Sequence, residues 1–81
     1  MKLPRDLSGL ELANLLKRFE YVIGRQTGSH IRLTTDRNGE HHITIPAHNP
    51  LKIGTLSAIL RDVAEHLELS RDELVAELFE K

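Results

Sequence analysis

Five histidines in 81 residues are the side chains of this chain best suited to chemistry near neutral pH. An unperturbed imidazole titrates at about 6.5 and can take or give a proton there. His30 follows Gly28-Ser29, two small residues that read as a tight turn and leave easy access for a ligand backbone. Arg32 lies two positions further along the same alternating run, Arg25 lies on the run before it, and Lys52 follows His48. A histidine beside such cations suits cleavage of a phosphodiester bond in RNA. That reaction needs a base for the ribose 2′-hydroxyl, an acid for the leaving 5′-oxygen, and positive charge on the phosphorane. The competing reading makes His30 a polar residue on a solvated sheet face.

His48 sits in Pro46-Ala47-His48-Asn49-Pro50, where prolines restrain the backbone and no ladder constrains the side chain. It is a candidate second acid/base group or RNA contact, or a loop histidine that only solvates a turn. His41 and His42 are adjacent on a strand, so they point to opposite faces and do not readily share a metal ion. A zinc site from His30, His42 and His48 is conceivable but lacks the cysteine or positioned carboxylate that such sites favour. No metal and no other cofactor is expected. His66 falls in the last turn of a helix, where interaction with the helix dipole explains it. Gly54-Thr55 reads first as a helix start, whose free N–H groups could also hold a phosphate.

The elements that must position these residues can be read in order. Ser8-Gly9-Leu10-Glu11 has capping-box spacing, with Leu7 and Leu12 at the staple positions, and Leu12, Leu15, Leu16 and Phe19 form one apolar face. This predicts a helix from Gly9 to Phe19. Three strands follow, over 21–26, 30–35 and 41–45. Period two puts Ile31, Leu33, Ile43 and Ile45 on one face and His30, Arg32, Thr34, His42 and Thr44 on the other. A three-residue Arg37-Asn38-Gly39 loop with Gly39 left-handed pairs Leu33 with Ile43 and Ile31 with Ile45. A two-residue Asn38-Gly39 turn would mix the faces. The chosen register sets His30 opposite Pro46, close to His48.

A second helix is predicted after Thr55 as cap, with Leu56, Ile59, Leu60, Val63 and Leu67 on its apolar face. Ser70-Arg71-Asp72-Glu73 repeats the capping box for a last short helix carrying Leu74, Val75, Leu78 and Phe79. The expectation is one α+β domain over residues 1–81 with a three-stranded antiparallel meander and helices on its apolar face. This α-β-β-β-α order with an extra short helix is the layout of the double-stranded-RNA-binding domain.

Composition narrows the classes. One small domain without cysteine has neither disulfides nor thiolate metal sites. No run approaches the roughly 18 apolar residues of a membrane span. Met1-Lys2-Leu3-Pro4-Arg5-Asp6 has no apolar stretch after its basic residues, so a secretory leader is not expected and a soluble cytoplasmic protein is. The net charge of −1 hides an asymmetry: nine basic against five acidic side chains through Arg61, then two against seven. A mildly basic body can meet a polyanion on one face while the acidic last helix stays solvated or serves self-association as a homodimer. Walker, dinucleotide and serine-nucleophile motifs are absent, and with only Phe19, Tyr21 and Phe79 as aromatics little base stacking is expected.

Four strings in order carry a family resemblance: Leu7-Ser8-Gly9 with Glu11-Leu12; Arg25-Gln26-Thr27-Gly28-Ser29-His30; Ile45-Pro46-Ala47-His48; and Leu51-Lys52-Ile53-Gly54-Thr55-Leu56 with Ile59-Leu60. Together, from Lys2 to Leu78, they resemble the HicA family of mRNA interferase toxins. The resemblance implies a type II toxin–antitoxin component: a metal-independent endoribonuclease that cleaves mRNA and arrests translation. It implies His30 of the Gly28-Ser29-His30 motif as the catalytic histidine, and a HicB-type antitoxin as the partner that covers the active face. Arg25, Gly28, Ser29, Arg32 and Lys52 are then the candidates for holding RNA phosphate. Two rival classes remain: a non-catalytic RNA-binding module or inactive toxin homologue using the same face, and a protein-interaction subunit that works only within a complex.

Overall fold

The computed structural model describes residues 3–80. Met1, Lys2 and Lys81 lie outside the described residues, and with them the basic start of the chain and part of the charge count.

Both capping boxes form. The Ser8 hydroxyl accepts the Glu11 N–H at 3.0 Å while the Glu11 carboxylate accepts the Ser8 N–H at 2.8 Å. The Ser70–Glu73 box repeats these distances. The Ser70 backbone and then side-chain hydrogen bonds hold the Glu73 carboxyl below its usual range. Helix α1 spans Gly9–Leu15 and tightens into a 3-10 turn over Leu16–Phe19, ended by Glu20 in the left-handed region. The expected helix is therefore present in two forms, with its last turn tightened to i→i+3 bonding as helix ends often are.

Strands β1 (Val22–Thr27), β2 (His30–Thr35) and β3 (His41–Pro46) form an antiparallel meander in the order β1-β2-β3. The register is the expected one: Ile31 pairs with Ile45, Leu33 with Ile43 and His30 with Pro46. All four of these apolar side chains are buried. The β2–β3 connection takes up residues 36–40, as the expected strand ends require. Pairing stops at Thr35 and His41, and the intervening residues turn through Asn38 (φ 58) and Gly39 (φ 99).

Helix α2 spans Ile53–Leu67 and α3 spans Arg71–Phe79. Thr55 is not the cap of α2. Lys52 holds that position in extended conformation without a side-chain cap, and its carbonyl accepts the Leu56 N–H at 2.9 Å, which starts the helix three residues earlier, nearly one turn. Helix α2 ends with Glu68 left-handed (φ 59), where Leu69 N–H bonds Ala64 carbonyl and Glu68 N–H bonds Glu65 carbonyl, a Schellman arrangement. The core joins Leu12, Leu16 and Phe19 to Ile31, Leu33, Ile43 and Ile45 and to Leu56, Leu60, Val63, Leu74 and Leu78. Helices thus cover one sheet face and leave the other to solvent, an α+β fold with an open three-stranded sheet. No helix among the described residues is long and apolar enough to cross a membrane.

The histidines at the α2 end serve this packing. His66 Nε2 donates to the carbonyls of Arg37 and Gly39, each at 2.9 Å, and Asn38 Nδ2 donates to the His66 carbonyl at 2.7 Å. Helix α2 thereby clasps the β2–β3 turn, which is more than the dipole role expected of His66. The His66 ring stacks on His41 at 4.2 Å between centroids. His41 in turn joins the Tyr21 hydroxyl at 2.7 Å and Asp62 at 3.3 Å. Burial, and then the negative charge of Asp62, push Tyr21 up to about 12, so it stays a protonated donor to His41 Nδ1. That hydrogen bond leaves His41 Nε2 to carry the proton toward Asp62.

Candidate active face

The open sheet face consists of three cross-strand rows. Thr27, His30 and Pro46 form the first; Arg25, Arg32 and Thr44 the second; Val22, Thr34 and His42 the third. Simple alternation along β1 would turn Arg25 toward the core. The register shift between Ile23 and Arg25 leaves Gly24 as the extra residue and brings Arg25 opposite Arg32. A bulge re-aims every side chain after it, and here it delivers a second guanidinium to the His30 face.

Arg25, Thr27, His30, Arg32 and Thr44 line an open depression of about 370 Å³. Its histidine and both arginines are exposed. Gly28, at φ +56, makes the two-residue turn that ends β1 and begins β2 at His30. Ser29 is the other turn residue, and its carbonyl accepts the Ala47 N–H at 2.6 Å. That bond ties the turn to the segment carrying His48.

The same segment is anchored from the other side. Gly9 N–H donates to the His48 carbonyl at 2.9 Å, and Leu51 N–H to the Leu7 carbonyl at 2.7 Å. A Cβ on Gly9 would overlap the Pro46 carbonyl oxygen, so only glycine lets α1 approach the end of β3 this closely. His48 and Lys52 are exposed beside this junction, but neither lines the depression. Of the residues singled out in the sequence, the fold thus brings Arg25, His30 and Arg32 together, sets Gly28 and Ser29 at their edge, and leaves His48 and Lys52 on the adjoining loop.

His42 is engaged on the open face, with Nδ1 2.9 Å from Thr34 Oγ1 and Nε2 2.9 Å from Glu40 Oε2. It lies two rows from His30, which removes the geometry a His30–His42–His48 zinc site would need. Among the described residues no group of three or more histidine, cysteine or carboxylate side chains could hold a metal ion. The Thr34–His42–Glu40 chain escaped the sequence reading, although the register that pairs Thr34 with His42 was sufficient to find its first link.

A family model described as the HicA toxin of bacterial toxin–antitoxin systems matches residues 9–64. The match begins at the start of α1, spans the whole sheet and the His48 loop, and ends within α2. No curated protein and no solved structure matches the chain.

Proposed function

The chain belongs to the HicA toxin family, the toxin half of bacterial toxin–antitoxin systems, and on that premise we propose that it is an endoribonuclease that cleaves mRNA and arrests translation. The observation that carries the reading is His30, exposed in a depression that it shares with Arg25 and Arg32 of the adjoining cross-strand row. In this reading RNA lies across the open sheet face with a phosphate between the two guanidiniums, which match its charge and fork geometry. His30 takes the proton of the 2′-hydroxyl, or gives one to the leaving 5′-oxygen. The 2′-oxygen bonds to phosphorus as the 5′-oxygen bond breaks, leaving a 2′,3′-cyclic phosphate and a 5′-hydroxyl. The guanidiniums stabilise the charge that builds on the phosphorane.

His48, on the loop tied to the Gly28-Ser29 turn, is the candidate for the second proton transfer, and Lys52 for an outer phosphate contact. Gly28 and Ser29 give the RNA backbone a close approach to His30. Toxins of such systems work with a cognate antitoxin, and a HicB-type protein covering this face would silence it by excluding RNA. Cytoplasmic location follows from the mRNA substrate.

The test is incubation of the purified chain with long single-stranded RNA in EDTA, followed by analysis of the product ends. Fragments ending in 2′,3′-cyclic phosphate are expected from the parent and not from His30→Ala. Salt-sensitive binding without fragments would replace the enzyme with a non-catalytic RNA-binding module.

A further inference from the structure

The open face carries a second histidine that the proposed cleavage does not use. His42 is held at both ring nitrogens, by Thr34 and by Glu40, so its orientation is fixed and neither nitrogen is left over for a ligand. Its side chain is nevertheless 43% exposed. What it offers is the flat face of an aromatic ring. In the same cross-strand row stands Val22, whose 64% exposure exceeds that of Leu10 and Ile53, the other large apolar side chains exposed among the described residues.

The position of this row identifies its occupant. Thr34 is four residues along β2 from His30, about 13 Å at the rise of a strand. That is too far to act on the phosphodiester held at His30, but within reach of a flanking nucleotide. The Arg25–Arg32–Thr44 row lies between, so a polyanion that follows the two guanidiniums away from His30 arrives at Val22, Thr34 and His42. Beyond Val22, Glu20 and Asp36 help to line a depression of about 520 Å³. Arg37 approaches Glu20 at 4.0 Å, but Asp36 and the Glu40 carboxylate on His42 leave the patch acidic, which disfavours a phosphate and leaves an uncharged base as the part of the nucleotide that fits.

We propose that Val22, Thr34 and His42 form a base-stacking subsite for a nucleotide flanking the one cleaved at His30, on single-stranded RNA. This rests on the ribonuclease reading of the face. Unpaired bases stack on histidine as they do on phenylalanine or tyrosine, and such stacking tolerates any base because every base has a π-face. The subsite therefore contributes affinity and alignment more than sequence choice. It also revises the expectation from composition, which counted only Phe19, Tyr21 and Phe79 as stacking residues.

The experiment uses a single-stranded 2′-O-methyl oligonucleotide, which lacks the attacking hydroxyl and stays intact, with 2-aminopurine placed at successive positions in a set of probes. The parent is expected to quench one or two of these probes on binding. His42→Ala should bind about ten-fold more weakly and lose that quenching, while His42→Phe, which keeps a ring but no nitrogens, should restore both. In cleavage of ordinary RNA, His42→Ala should raise KM and leave kcat near the parental value. Parental binding and quenching by His42→Ala overturn the subsite, as does a His42→Phe variant that behaves like His42→Ala. Either result leaves His30-dependent cleavage standing. Quenching that depends on His42 in a parent that never cleaves would instead keep the subsite and remove the ribonuclease, and a parent that does not bind the probes removes the subsite.

Discussion

On the packed side of the sheet His41 and His66 are consumed by structure, whereas on the open side His30 faces solvent beside two arginines. His41 is bonded to Tyr21 and Asp62 and stacked on His66, and His66 bonds two carbonyls of the β2–β3 turn. His30 lines a depression with Arg25 and Arg32. One residue type thus closes the fold at one place and offers a solvent-exposed imidazole at another. The difference lies in the neighbours: a buried phenol and backbone carbonyls use up imidazole nitrogens, while exposed guanidiniums leave them free and attract a polyanion. Residue type named the candidates for chemistry here, but only packing could sort them.

The largest expected effect lies on the open side. Replacing both Arg25 and Arg32 with alanine should lower kcat/KM for RNA by about 10²- to 10³-fold, as loss of preorganised charge at a developing anion does, with the melting temperature little changed. The salt dependence of RNA binding should become shallower in the same variant. Unchanged cleavage would mean that phosphate is held elsewhere, with Lys52 next to be replaced.

Gly9 sits where the two sides meet, under the end of β3 and against the His48 loop. Gly9→Ala forces the Pro46–His48 segment to move and should cost about 1–3 kcal/mol by urea unfolding. It should also slow cleavage, because the same segment carries His48 and is bonded to the Ser29 turn beside His30. Full stability in this variant would contradict the close contact with Pro46.

Alkaline pH separates the two sides without mutation. Tyr21 is raised to about 12 in the folded chain against 10.0 in an unfolded one. Between those values the unfolded state loses a proton that the folded state keeps, so stability falls as pH rises from 10 toward 12. The loss should approach about 2 kcal/mol and should disappear in Tyr21→Phe, which cannot ionise. The smallest effect expected is that of His66→Ala, which frees two carbonyls of a solvent-exposed turn. It should cost about 1 kcal/mol, seen as a lower urea midpoint and faster amide exchange at Gly39.

Much of this comparison was legible in the sequence. Alternation on β2 and β3, with Gly39 able to take a left-handed turn, determined the register and so placed His30 opposite Pro46. Serine and glutamate at cap spacing marked two helix starts. These signals are local, and local physics sufficed. The Gly24 bulge was not legible, because a glycine within a strand run does not say which side of the ladder it leaves. The clasp on the β2–β3 turn was not legible either, because His66 bonds it from 27 and 29 positions away. Thr55 lost the cap to Lys52 since nothing in Ile53-Gly54 prevents an earlier start. At the site, His30 and its arginines were found by type and strand face. The tether from Gly9 to the His48 loop depends on tertiary approach, whereas the Glu40 bond to His42 spans only two residues and turns on a side-chain rotamer that residue type does not specify.

The most direct test of the division between the two sides sets His30→Ala beside His66→Ala, measuring for each the thermal midpoint and the single-turnover cleavage of long RNA in EDTA. His30→Ala is expected to melt with the parent and to cleave at least about 100-fold more slowly, while His66→Ala melts lower and, below its midpoint, cleaves at the parental rate. Parental cleavage by His30→Ala, with His66→Ala inactive while still folded, would contradict that division and move the chemistry to the packed side.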